Sequence, residues 1–137
     1  MKASLRRIAV AALLAGSLGM ANAATIHVIL TGMHEVPPVR TAAQGTAEIT
    51  VQADGRVHGE VHIHGVTATM VHIHEGATDA NGPILIWLKH RAHGVWVVPP
   101  GAKLTPAQYK HFRKGDLYIN VHSSRYPDGE IRGQLIP

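Results

Sequence analysis

Residues 56–75 read RVHGEVHIHGVTATMVHIHE, and their alternation decides the fold. In a β-strand, side chains two apart share a face. Val57, Gly59, Val61 and Ile63 therefore line one face of a strand over 56–64, and His58, Glu60, His62 and His64 line the other. Residues 70–75 repeat the pattern, with Val71 and Ile73 turned toward a core and Met70, His72 and His74 turned away. A short turn near residues 65–69 joins the two segments, so the expectation is a hairpin. Centred near Thr67, it pairs His62 with His72 and His64 with Met70. Cross-strand neighbours have Cβ atoms about 5 Å apart, which would gather both His-x-His pairs into one cluster. A slip of one residue would separate them onto opposite faces.

The same alternation extends outward. A strand over 25–31 puts Ile26, Val28 and Leu30 on one face, and one over 46–52 does the same with Ala47, Ile49 and Val51. Asp54-Gly55 is a two-residue hairpin signal between strands. Pro37-Pro38 cannot continue a central ladder. Residues 84–88 are continuously apolar, as in a strand buried on both faces, and 95–98 are expected to pair with them. Thr105-Pro106-Ala107-Gln108 predicts one helix, with Thr at the N-cap, Pro at the first position and Gln completing a capping box. Gly115 ends it. Residues 117–122 send Leu117, Ile119 and Val121 inward and Tyr118, Asn120 and His122 outward. Pro127-Asp128-Gly129 turns the chain into a last strand over 130–135, placing His122 opposite Glu130 and Asn120 opposite Arg132. The expected fold is all-β: an antiparallel, Greek-key-like β-sandwich or flattened barrel with one short helix.

The N-terminus reads differently. Lys2, Arg6 and Arg7 precede an apolar run, and Ala21-Asn22-Ala23 has Ala where signal peptidase reads. Residues 1–23 thus look like a cleaved export signal, too short for a spanning helix. The chain has 137 residues, so 24–137 would form a single domain, periplasmic or secreted, with no stable membrane insertion. That part holds ten of the 13 basic residues and all nine acidic ones, so its formal charge is only +1. With no basic stripe, nucleic-acid binding is not expected. The absence of Cys excludes a disulfide scaffold, thiolate metal sites and thiol catalysis. No Gly-x-Ser-x-Gly turn supports serine hydrolysis. Two Trp, one Phe and three Tyr are too few for an aromatic carbohydrate or nucleotide platform.

Histidine is the outstanding feature: 11 residues, all after the signal. Neutral imidazole is a ligand for copper, zinc and nickel, and copper stands first among divalent ions in affinity. The candidate metal ligands are His72, His74 and His122, with His62, His64 or His34 completing the shell. Glu130 and Asn120 are expected in support, since a carboxylate can accept the second N–H of a ligating imidazole. Met33 and Met70 offer soft thioethers suited to Cu(I). His27, His58, His90, His93 and His111 read as ordinary surface residues.

Several motifs resemble one family. Gly32-Met33-His34-Glu35-Val36-Pro37-Pro38, Val71-His72-Ile73-His74-Glu75-Gly76, Asn81-Gly82-Pro83, the segment Gly115 to His122, and Pro127-Asp128-Gly129-Glu130-Ile131-Arg132-Gly133-Gln134-Leu135 look like the CHRD domain, named from chordin. The resemblance implies a β-sandwich and leaves the biochemical function poorly defined. His72, His74, His122, Asn120, Glu130 and Arg132 fall on its motif positions, whereas His62 and His64 do not. A weaker similarity is to the Cu/Zn superoxide dismutases, carried by His72-Ile73-His74-Glu75 and Val121-His122. It implies that Arg132 could guide superoxide as the catalytic residue. The bridging His of that family is missing, because Ile84 follows Gly82-Pro83, and so is its disulfide.

Three functions follow. The first is an exported metal-binding protein for copper, with zinc or nickel as alternatives. The second is a copper-only dismutase-like enzyme. The third is a surface interaction module without metal.

Overall fold

The computed structural model describes residues 22–137. The export-signal reading of residues 1–23 therefore lies almost wholly outside the described residues. Nine strands form one sheet: β1 (Ala24–Thr31), β2 (Gln44–Val51), β3 (Val57–His64), β4 (Ala68–Glu75), β5 (Ile84–Trp87), β6 (Lys89–Ala92), β7 (Val95–Val97), β8 (Leu117–Ser123) and β9 (Ile131–Gln134). Their order across the sheet is β5-β4-β8-β9-β1-β2-β3-β7-β6, and every neighbour runs antiparallel. Strands β5 and β6 stand at opposite edges, yet only Leu88 separates them in the chain. The sheet is thus rolled into a nearly closed, flattened barrel.

Alternation fills its interior. Ile26, Val28 and Leu30 of β1, Ala47, Ile49 and Val51 of β2, and Val57, Val61 and Ile63 of β3 share one core with Val71 and Ile73 of β4 and Leu117, Ile119 and Val121 of β8. Burying each large side chain contributes about 1.5–3 kcal/mol. The helix α1 (Pro106–Arg113) starts at the expected capping box: Gln108 N–H donates to Thr105 Oγ1 at 3.2 Å, and Thr105 N–H donates to Gln108 Oε1 at 2.9 Å. It buries Phe112 completely. No helix among the described residues is long and apolar enough to cross a membrane.

Two pairings differ from expectation. Strands β3 and β4 do not form a hairpin. Four strands lie between them in the sheet, and the segment that starts at Gly65 carries the chain across the core from one side of the barrel to the other. Alternation dictates which face is apolar but not which strand becomes the neighbour, so both arrangements fit the same residues. Likewise, β7 pairs with β6 and β3, not with β5. Strand β5 is an edge strand with Ile86 buried and Trp87 exposed, rather than one buried on both faces.

The last hairpin takes the expected register, Asn120 opposite Arg132. Strand β9 runs so near β1 that a Cβ on Gly133 would lie 2.4 Å from Val28 Cγ1 and 2.8 Å from the Ile29 carbonyl oxygen. Gly133→Ala is accordingly expected to cost about 1–3 kcal/mol through overpacking. Urea denaturation measures this, and parental stability in the variant would contradict the β1–β9 spacing.

Candidate metal centre

The face of β4, β8 and β9 opposite the apolar core is covered. His72, His74, Tyr118, Asn120, His122 and Arg132 are all buried, and every residue of β8 is buried. Two loops lie over this face, one following β1 and one between β4 and β5. Asn81 Nδ2 ties them together by donating to the Val36 carbonyl at 2.7 Å.

Arg132 fastens the second loop. Its guanidinium stacks 3.5 Å from the centre of the Tyr118 ring and donates to the carbonyls of Ala77 (2.7 Å) and Ala80 (3.0 Å) and to Asn81 Oδ1 and Gln134 Oε1. At 1 % exposure and with its donors engaged, it is not available to steer an anion from solvent. The catalytic role expected of Arg132 under the dismutase reading is therefore corrected to a structural one. Gly82 belongs to the same loop. Its carbonyl accepts from His74 Nδ1 at 2.9 Å, and its N–H donates to Tyr118 Oη at 3.0 Å. Only glycine fits, because a Cβ there would lie 1.7 Å from the Glu75 carbonyl oxygen.

Beneath this cover three imidazoles meet. One nitrogen from each of His72, His74 and His122 lies within 4.8 Å of the others. His72 Nδ1 and His122 Nε2 are 3.2 Å apart, a separation that suits two ligands on one ion at about 2.0–2.1 Å. Backbone carbonyls orient two of the rings. His74 Nδ1 donates to Gly82, and His122 Nδ1 donates to Pro127 at 2.8 Å, so each presents an unprotonated Nε2, that of His122 facing His72 Nδ1. No backbone group orients His72, and its ring packs edge-on against Trp87 at 4.1 Å. The Nε2 atoms of His72 and His74 are buried and have no hydrogen-bond partner. An unsatisfied buried polar atom is costly, and a cation held between His72 Nδ1 and His122 Nε2 would take up the free nitrogen of His74.

Burial favours the neutral form of His72 and His74. Burial, and then His122 and His74, lower the His72 pKa from 6.5 to about 4. Burial also lowers that of His74, against the bond to Gly82, which raises it. Neutral imidazole is the form a metal binds.

The other expected ligands lie elsewhere. His62 bonds Glu60 Oε1 at 2.7 Å on the outside of β3, and His64 is exposed at the end of that strand. Both strands turn their valines and isoleucines into one core, so the histidines of β3 point out of the barrel away from those of β4. His34 is exposed in a short 3-10 turn (Gly32–His34), with Nδ1 3.3 Å from the Arg132 carbonyl. Met33, on the same turn, is exposed. Glu130 does not support His122. Its carboxylate accepts from Thr41 Oγ1 at 2.6 Å and from Ser123 Oγ, while the Pro127 carbonyl takes the histidine proton. Asn120 Nδ2 donates to Glu35 and to the Ile131 carbonyl rather than to a histidine.

Glu35 is the site residue that residue-by-residue reading missed. It lies 85 positions from Asn120 in a proline-bounded loop, and its only signal is the segment His34-Glu35-Val36-Pro37-Pro38. Burial raises its pKa from 4.5 to about 7, against the Asn120 hydrogen bond and the charge of Arg132. Gly129 makes room for the pair, since a Cβ there would lie 2.7 Å from the Asn120 amide and 2.8 Å from Glu35 Oε1.

Fold and site together define a small antiparallel β-barrel with an apolar core inside and a second, polar core under loops on one outer face. The chain belongs to the CHRD domain family, which matches residues 26–135. It is 25 % identical over 120 residues to chordin of Danio rerio and 23 % identical over 128 residues to chordin of Xenopus laevis. These matches cover 77 % and 82 % of this chain but only 12 % of each chordin. No solved structure matches the chain.

Glu35 and His72 oppose each other in pH dependence. Glu35 holds its proton to about pH 7 when folded and to 4.5 when unfolded. Its contribution to stability is full below pH 4.5 and is lost as pH rises through 7. His72 has a folded pKa near 4 against 6.5, so its contribution is present above pH 6.5 and is lost as pH falls toward 4. Each displacement corresponds to on the order of 3 kcal/mol. Glu35→Gln removes one side, and the metal-free variant is expected to lose about 2 kcal/mol more than the parent between pH 7 and 5. Urea denaturation across that range measures it, and equal slopes would refute a neutral Glu35.

Proposed function

We propose that this protein is an exported metal-binding protein, periplasmic or secreted, that takes copper at His72, His74 and His122 for binding, buffering or delivery. The observation that carries the reading is the convergence of three buried imidazoles from two strands, with the Nε2 of His74 left unpartnered. Such a nitrogen is costly in a core built only for stability and useful in a ligand set. The carbonyls of Gly82 and Pro127 supply the outer support that ligating histidines ordinarily have. Copper is favoured over zinc and nickel by the affinity order for nitrogen ligands. Export is supported by the basic start, apolar run and Ala-x-Ala ending of residues 1–23.

The test is elemental analysis of protein purified without chelators and reconstituted with copper. One equivalent is expected per chain, and retention should weaken as pH falls and protons compete for the nitrogens. The paired substitutions His72→Ala and His74→Ala should abolish retention, while His62→Ala with His64→Ala should leave it unchanged. Copper uptake that the first pair leaves intact, or zinc retained in preference to copper, overturns the assignment.

A further inference from the structure

Two large side chains remain exposed beside this buried polar cluster. Met70 is 37 % exposed and Trp87 is 58 % exposed. Their positions follow from register. Met70 shares the outward face of β4 with His72 and His74, and it stands directly opposite His122 of β8. Directly opposed residues on one face have Cβ atoms about 4.5–5.5 Å apart. A flexible methionine side chain spans that distance easily, so its sulfur can reach the histidine cluster from the solvent side. Trp87 is opposite His72 across the β4–β5 pairing and packs on its ring. Tyr118 stacks on His74 from another side at 4.8 Å.

The charge of the site is equally telling. No carboxylate belongs to the ligand group. A ligating imidazole is neutral, a thioether is neutral, and the guanidinium of Arg132 lies over the Tyr118 ring that stacks on His74. Charge transferred into a buried, poorly hydrated site is costly, and the cost rises steeply with the charge of the ion. A divalent ion would enter with nothing in its ligand shell to neutralise it. A monovalent, soft ion fits better on both counts, and thioether ligands select Cu(I).

We infer that Met70 is the fourth ligand of the site and that its thioether, with the three neutral imidazoles, tunes the site to monovalent copper. Trp87 covers the His72 side of the ion and shields it from water. This inference rests on the metal-binding reading proposed above and adds to it the oxidation state and the ligand that selects it.

The experiment compares wild-type protein with Met70→Leu and His72→Ala. Leucine is close to methionine in volume, and Met70 is itself 37 % exposed, so the fold should hold. Cu(I) affinity is measured anaerobically by competition with a chromophoric Cu(I) chelator, and Zn(II) affinity by competition with a zinc indicator. X-ray absorption of the Cu(I)-loaded wild type reports sulfur in the coordination shell independently of any variant. Met70→Leu is expected to weaken Cu(I) binding about tenfold or more, leave Zn(II) affinity unchanged, and abolish the sulfur signal. Wild-type protein that binds Cu(I) without sulfur scattering, and as tightly as Met70→Leu, overturns the role of Met70 while leaving the histidine site intact. Cu(I) binding that His72→Ala does not weaken overturns the histidine site itself, and the inference falls with it.

Discussion

A guanidinium sealed from water needs compensation, and Arg132 obtains it from backbone and side-chain amide oxygens and an aromatic face. The Ala77 and Ala80 carbonyls, the Asn81 and Gln134 side-chain oxygens and the Tyr118 ring surround it. In meeting that demand, the loop between β4 and β5 is pulled down over the outer face of β4, β8 and β9. Gly82 arrives with it and orients both His74 and Tyr118. The buried charge thus organises most of the cover: without a cation at this position, the Ala77 and Ala80 carbonyls would lose their donor, and Gln134 Nε2, which donates to the Gly76 carbonyl at 2.7 Å, would be left to hold the loop from β9. Leaving such oxygens unpaired would cost about 1–3 kcal/mol each.

Much of this was legible in the residues. Alternation in residues 57–63 and 71–73 identified the core-facing side chains correctly, and the capping box at Thr105 located the helix. The Asn120–Arg132 register followed from the turn at Pro127-Asp128-Gly129. The neighbour of each strand was not legible. Val61 and Val71 would meet a core equally well from one hairpin or from opposite sides of a barrel, and period-two patterning is identical in the two cases. That ambiguity drew His62 and His64 into a cluster from which the barrel excludes them. Tyr118, Asn120 and Arg132 looked outward, and they are; their burial depends on loops whose positions no strand periodicity encodes. Glu130 illustrates the same limit. Its register beside His122 was readable, but the competition of Thr41 and Ser123 for its oxygens was not.

The two cores differ in physical character. Inside the barrel, packing alone acts. Under the loops, hydrogen bonds and stacked rings dominate, and burial lowers the proton affinity of His72 and His74. Burial that discourages protonation leaves nitrogen lone pairs accessible to softer acids. Glu35 is pushed the other way by the same burial and keeps its proton to about pH 7 beside Asn120.

Leu88 has a role outside this site. Its N–H donates to the Val71 carbonyl at 2.9 Å and its side chain enters the core, while the strands it joins are the first and last of the sheet. A single residue thus draws together the two ladders that a rolled sheet would otherwise leave open. Beyond it, β6 exposes Lys89, His90 and Arg91 along the free rim. Charged side chains on such a rim discourage a second molecule from adding a strand. The seam at Leu88 consequently acts as a guard against polymerisation, useful to a protein with no disulfide to hold its sheet closed.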